Sequence, residues 1–290
     1  MNIRMNAPQL GNSSAVDMMA AKLAGKHAVV VGATGVIGSH IARTFAAHGA
    51  VVSLLGRTAL QARPHLEPQL DPYRGPSAPD TPASHRFIPL DVTDTPSIKE
   101  VFADRGSKVF PATPSPFAAA VFVWLFVFGS PAAPGLTFGA GSGLGRRCLG
   151  FLPLQDVDAV GPLDLLVNCA GISQTTLLKR TPDEGLASIV DTNLLATMLA
   201  CKHARIRQHG CIINVASLMA TKAGLGVTAY AASKAGVVDL KPELQEAYLK
   251  DTPLNRVARP TEVADAALFL ASNEFANNCV LNLDGGLSAA

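Results

Sequence analysis

The apolar positions of this 290-residue chain fall into short runs separated by glycine turns and by stretches of helical spacing. His27 to Val31 is a Val-rich run, too short for a helix and apolar almost throughout, as a parallel strand buried on both faces is. The turn Gly32-Ala33-Thr34-Gly35-Val36-Ile37-Gly38 follows. Ser39 to His48 then carries apolar residues at helical spacing (Ile41, Phe45, Ala46), and Gly49 stops it. Val51 to Leu55 reads as a second strand, ending at Gly56-Arg57. Further strands are predicted at Phe87 to Leu90, Leu163 to Val167, Cys211 to Val215 and Val280 to Leu283. Helices are predicted near Thr95 to Phe102, Glu184 to His203, Ala229 to Leu240 and Glu262 to Ala271, and residues 61 to 85, rich in Pro and polar groups, read as loop. Alternating strand and helix predicts an α/β fold, a doubly wound parallel sheet of Rossmann type. It forms a single domain over residues 25–290, behind a flexible extension of residues 1–24.

One block breaks the rhythm. The insertion at about 105–155 is dense in Pro, Gly, Ala and Phe, and its centre, Phe117 to Phe128, carries no charge. That run is too short to span a bilayer, which takes about 20 residues. It reads as a buried strand or as an exposed, aggregation-prone loop. Its order in the chain and its flanking prolines argue against its joining the sheet. Gly139 to Gly145 resembles a phosphate-binding glycine pattern, but no helical period follows it, so it reads as a flexible loop.

Composition narrows the function. A net charge of +2 with scattered bases excludes a nucleic-acid partner, and no membrane association is expected. The five cysteines show no metal-ligand spacing, so no metal site is expected and the thiols read as reduced. The polar, acid-poor extension fits a plain tail or an organellar presequence, which leaves a cytoplasmic or a mitochondrial location open.

The chemistry gathers around Tyr230-Ala231-Ala232-Ser233-Lys234, with Ser217 upstream. Tyr230 and Lys234 are one helical turn apart and share a face. An ammonium there lowers the pKa of a phenol from its usual value near 10, which makes the tyrosine a usable general acid. A nearby serine hydroxyl can hold the carbonyl being converted.

In this order the motifs resemble the short-chain dehydrogenase/reductase family, over about residues 22–103 and 160–290. The resemblance implies hydride transfer between a nicotinamide cofactor and a carbonyl or alcohol. Gly32, Gly35 and Gly38, with Thr34, Val36 and Ile37 between them, would back onto the cofactor's pyrophosphate. Val36 stands where the simpler reductases place a glycine, a spacing closer to the family's epimerase branch. Arg57 replaces the acidic residue that grips the ribose of NAD, which suits NADP better than NAD, though a solvated surface arginine is the plainer alternative. Asp91 and Val92 resemble the pair that contacts adenine, or Asp91 merely opens the next turn. Asn168, Ala170 and Gly171 resemble the segment after the fourth strand, with Cys169 in place of a second Asn. Asn193 resembles the helix residue that supports a water beside the catalytic lysine. Ser217, Tyr230 and Lys234 match the catalytic residues, and Tyr230 and Lys234 would also contact the cofactor.

The stretch from Leu177 to Asn193 and the run from Thr252 resemble 3-oxoacyl-acyl carrier protein reductases of fatty acid synthesis. This implies a small or carrier-bound 3-oxoacyl thioester as substrate and a homotetramer as the assembly. One departure is large. Leu240-Lys241-Pro242 follows the catalytic lysine almost at once, where the family has a further strand and a Pro-Gly turn that holds the nicotinamide. Ala133-Pro134-Gly135 lies on the wrong side of the catalytic helix to serve. The sheet is therefore expected to lack one family strand, and insertion and deletion together read as the mark of an altered transcript. The rival reading is a catalytically impaired relative that retains only nucleotide binding. An epimerase of nucleotide sugars rests on the glycine turn alone.

Overall fold

The computed structural model describes residues 22–75, 81–103, 119–125, 159–217, 219, 228–233, 253–254, 256, 258–273, 275–276 and 280–285. His27–Val31 forms β1, the strand that the Val-rich run predicts, and all of it is buried. Its alternate residues face opposite ways. Ala28 and Val30 join one apolar cluster with Ile41 and Phe45 of α1 (Val36–Ala47) and Ala264 and Leu268 of α7 (Pro260–Ser272). Val29 and Val31 join a second cluster with Ile98 and Phe102 of α3 (Thr95–Phe102) and Ala196 and Ala200 of α5 (Ala196–His203). Helices therefore cover both faces of the sheet, and each large aliphatic side chain so buried stabilises the fold by about 1.5–3 kcal/mol.

The remaining strands are β2 (Val51–Gly56), β3 (Arg86–Pro89), β4 (Ala119–Leu125), β5 (Leu163–Asn168), β6 (Ile206–Val215) and β7 (Val280–Leu283). They form one seven-stranded sheet in the order β3-β2-β1-β5-β6-β4-β7. Every pairing is parallel, as the strand–helix alternation requires. The other α-helices among the described residues are α2 (Ala59–Leu66), α4 (Asp183–Val190) and α6 (Thr228–Ser233), and a π-helical turn (Asp191–Leu195) joins α4 to α5.

Three sequence expectations change. The uncharged run does join the sheet, because β4 pairs with β6 on one side and β7 on the other. Its backbone occupies the position between those two strands. Two flanking strands with unpaired backbone groups outweigh chain order, since a buried strand edge without partners is costly. Within the stretch read as loop, α2 forms despite Pro64, which removes one backbone donor. Burial of Ala59 and Leu66 and the Arg63–Glu67 pair at 2.9 Å hold that turn. β6 begins five residues earlier than predicted, at Ile206, with a register irregularity opposite Leu163–Leu165 and His209 in the left-handed region at φ 61°. The Gly139 to Gly145 loop, Ala133-Pro134-Gly135 and most of the amino-terminal extension lie outside the described residues.

At the amino-terminal edge of the sheet a polar cluster ties the central strands together. His27 is fully buried, with Nδ1 3.0 Å from the Pro162 carbonyl and Nε2 2.9 Å from Ser53 Oγ. The His27 N–H and the Arg207 guanidinium both donate to Asp164 Oδ2, at 2.7 and 2.8 Å. Burial, with the Arg207 and Arg86 charges, outweighs the Pro162 bond and Asp164, and pushes the imidazole down to about 4.

Candidate active site

The opposite, carboxyl-terminal edge collects the candidate residues. Gly32 follows β1, Arg57 follows β2, Asp91 lies just past β3, Asn168 ends β5 and Ser217 lies just past β6. In open parallel sheets ligands bind outside this edge, where successive connections run to opposite sides, and here that point falls between β1 and β5.

The glycine turn is built for close backbone approach. Gly32 has φ +84°, and a Cβ there would lie 2.6 Å from the Ala170 nitrogen. A Cβ on Gly38 would strike the Gly32 carbonyl, whereas one on Gly35 would meet only that carbonyl, at 3.4 Å. Gly35 caps α1 without a side-chain hydrogen bond, and the first turn holds no acidic residue. The N–H groups and positive dipole end of α1 are thus presented, over a glycine, to whatever anion enters. Val36 is exposed, and Ile37 packs against the first apolar cluster. Thr34 packs on Gly56, whose Cβ would lie 3.1 Å from Thr34 Oγ1. A dinucleotide's pyrophosphate fits this cradle by its chemistry and by the room that glycine leaves.

Arg57 is exposed beside this turn. Burial pushes the Asp91 carboxyl up. Hydrogen bonds from the Thr93 N–H (3.0 Å) and hydroxyl (2.7 Å), with the Arg57 charge, outweigh it and leave Asp91 below its ordinary range. Asp91 opens the turn ahead of α3 through these bonds, and Val92 packs against the second cluster. Asn168 is buried and ties β5 to β6, its Nδ2 donating to Asn214 Oδ1 at 2.7 Å and to Cys201 Sγ at 3.3 Å. Burial raises the Cys201 thiol pKa, and Cys169, Cys201 and Cys211 are free thiols. Ala170 abuts Gly32, and Gly171 is exposed.

Asn193 lies in the π-helical turn, a distortion that often marks functional sites. Its side chain is a clamp. Oδ1 accepts from the Ile172 N–H at 2.8 Å, and Nδ2 donates to the Ile172 carbonyl at 3.0 Å and to Ser233 Oγ at 3.1 Å. Its carbonyl accepts from the Thr197 hydroxyl at 2.8 Å. Ser217 is fully buried, and its Oγ accepts from the Met219 N–H at 3.2 Å. Tyr230 is 1 % exposed. Its N–H donates to Gln174 Oε1 at 3.3 Å, and its carbonyl accepts from Ser233 Oγ at 3.1 Å. Lys234 lies outside the described residues.

The fold thus brings the glycine turn, Arg57, Asp91, Asn168 to Gly171 and Ser217 to one edge, and ties Tyr230 to Asn193 through Ser233. Gln174, Ser233 and Thr197 escaped the sequence reading. Ser233 carried a signal in its place three residues after Tyr230, but Gln174 sits in a polar loop that no periodicity marks.

Two family profiles match the chain: "short chain dehydrogenase" over residues 154–257 and "NAD dependent epimerase/dehydratase family" over residues 28–113. The 3-oxoacyl-[acyl-carrier-protein] reductase of Mus musculus is 35% identical over 159 residues, covering 44% of this chain and 67% of that protein. Carbonyl reductase family member 4 of Danio rerio is 33% identical over 158 residues, covering 44% and 67%. A dehydrogenase/reductase structure from Sinorhizobium meliloti superposes with a TM-score of 0.65 at 21% identity, over 94% of this chain and 99% of that one. Fold, edge and relatives together define an NAD(P)-dependent oxidoreductase. The chain belongs to the short-chain dehydrogenase/reductase family.

Proposed function

We propose that this chain reduces a 3-oxoacyl thioester with NADPH. The observation that carries the reading is the convergence of the Gly32 cradle, Arg57 and Ser217 on one sheet edge, in a chain that is 35% identical over 159 residues to a protein named for that reduction. When bound, the nicotinamide supplies the hydride. The residues of the chain do the rest. Gly32 and Gly38 let the backbone approach the pyrophosphate, and the α1 N-terminus balances its charge. Arg57 would hold the ribose 2′-phosphate, because no acidic residue follows β2 to claim a 2′-hydroxyl. The Ser217 hydroxyl orients the carbonyl, and Tyr230 gives a proton to its oxygen. Lys234, by its spacing, holds the phenol's pKa down, and the Asn193 amide keeps the Ile172 loop against the catalytic helix.

The reading extends to self-association. Val190, Leu195 and Met198 are 40%, 40% and 55% exposed on the α4–α5 segment. A second copy of the chain would cover these apolar side chains.

A second reading, a nucleotide-binding remnant without turnover, draws on the near-complete burial of Ser217 and Tyr230. Titrating the purified chain with NADPH by fluorescence and then adding an acetoacetyl thioester while following absorbance at the nicotinamide band separates the two. Turnover that disappears in Tyr230→Phe supports the reductase, whereas binding without turnover leaves the remnant.

A further inference from the structure

We infer that Gln174 is a positioning residue for Tyr230, capping the start of the catalytic helix from a distant loop. The inference rests on the reductase reading for its consequence in turnover, but not for the contact itself. Tyr230 lies in the first turn of α6, where backbone N–H groups have no partner within the helix. Tyr230 is buried, so an unmet N–H there would carry the full cost of desolvation. Gln174, itself 4 % exposed, supplies the acceptor through Oε1 at 3.3 Å.

The orientation of that amide is not arbitrary. Gln174 Nε2 donates to the Thr176 carbonyl at 3.0 Å and to Thr181 Oγ1 at 3.2 Å. A carbonyl accepts only, so the nitrogen must face Thr176 and the oxygen must face the Tyr230 N–H. The acceptors are themselves held. Thr181 Oγ1 shares its single proton between the Thr176 and Leu177 carbonyls, each at 3.1 Å, which closes the 176–181 turn on itself.

Gln174 works with a second contact at the same residue. Asn193 Nδ2 donates to Ser233 Oγ, and Ser233 Oγ donates to the Tyr230 carbonyl, so side chains hold both polar groups of the Tyr230 backbone. Gln174 fixes the amide side from the loop after β5, and Asn193 fixes the carbonyl side from the π-helical turn. Both arrive from the segment that begins at Ile172, and Asn193 clamps that residue too. The phenol then reaches its place with little freedom left in the backbone that carries it.

The test uses the full chain labelled with 15N-tyrosine, in which only Tyr73, Tyr230 and Tyr248 report. Gln174→Leu keeps the bulk and removes both donor and acceptor, whereas Gln174→Glu, as the neutral acid, keeps a donor for the Thr176 carbonyl and an acceptor for the Tyr230 N–H. In Gln174→Leu, exchange of the Tyr230 amide is expected to speed up about tenfold over the change at the other two tyrosines. Turnover of an acetoacetyl thioester is expected to fall on the order of ten- to a hundredfold, with KM for NADPH within about twofold, because a misplaced acid costs rate rather than cofactor affinity. Gln174→Glu is expected to keep amide protection and to recover most of kcat. Unchanged Tyr230 exchange in a folded Gln174→Leu chain overturns the contact. Changed exchange with unchanged kcat overturns the positioning role. Should the wild-type chain turn nothing over, the reductase reading fails and the catalytic half of this inference with it, while the exchange experiment still decides whether Gln174 caps Tyr230.

Discussion

A Cβ on Gly32 would lie 2.6 Å from the backbone nitrogen of Ala170, so the turn after β1 and the segment after β5 meet backbone to backbone. Gly32→Ala must relieve that contact and also hold φ at +84°. It is expected to cost about 2 kcal/mol or more of stability and to weaken NADPH binding at least tenfold. Gly35→Ala meets only the Gly32 carbonyl at 3.4 Å, and its own φ is −77°. Its unfolding midpoint in urea is expected to match the wild type, with NADPH affinity reduced because the new methyl stands over the helix end. Equal destabilisation by both substitutions would refute this account of the turn.

Arg57 sets the cofactor preference in this reading. Arg57→Ala is expected to raise the Kd for NADPH on the order of tenfold and to leave NADH within about twofold, since one charge-assisted contact to a phosphate is lost. Fluorescence titration with both dinucleotides checks it. A proportional loss for both would place Arg57 away from the 2′-phosphate.

Ser217 accepts from the Met219 N–H and, in the proposed mechanism, donates to the substrate carbonyl. Ser217→Ala is therefore expected to lower kcat on the order of a hundredfold with KM for NADPH unchanged. A variant with normal turnover would remove Ser217 from the chemistry.

His27 predicts an acid limb of stability far from the catalytic edge. Its pKa is about 4 in the fold against 6.5 as the ordinary value. The unfolded chain therefore takes up this proton first. Stability from neutral His27 is complete above pH 6.5 and falls as the pH drops towards 4, by roughly 3 kcal/mol in all. His27→Gln, which keeps a donor for Pro162 and an acceptor for Ser53, is expected to flatten that limb. Urea unfolding at about pH 7 and about pH 4.5 measures it, and an unchanged slope in the variant would assign the limb to other groups.

Deleting residues 105–155 removes β4 and leaves β6 and β7 with unpaired facing edges. The expected result is a chain that aggregates or melts in two steps, followed by light scattering and circular dichroism. A cooperative, fully folded deletion variant would show that β4 is dispensable to the sheet.

Much of this was legible in the residues. His27 to Val31, the glycine turn and the helix after it follow from period and punctuation, and Val280 to Leu283 falls where predicted. The local signals sufficed there because sequence neighbours make the contacts. β4 was misread because its placement depends on partners far along the chain, and no local property of an uncharged run reports which strands lie open elsewhere. Gln174 was invisible for a related reason: a polar loop residue acquires its meaning only when Tyr230 arrives beside it. The turn that Asp91 opens was legible as one of its two readings, because its partner Thr93 lies only two residues on.

The position of β4 has a consequence for how the chain is made. The ribosome delivers β4 before β5, β6 and β7, yet two of those are the strands it pairs with. During synthesis the half carrying β1, β2 and β3 can assemble while β4 waits, uncharged and unpaired, for neighbours not yet synthesised. Any slowing of translation before β6 lengthens that wait. Yield in the cell should then depend on elongation speed and on chaperones that shield a nascent strand, independently of how stable the finished sheet is.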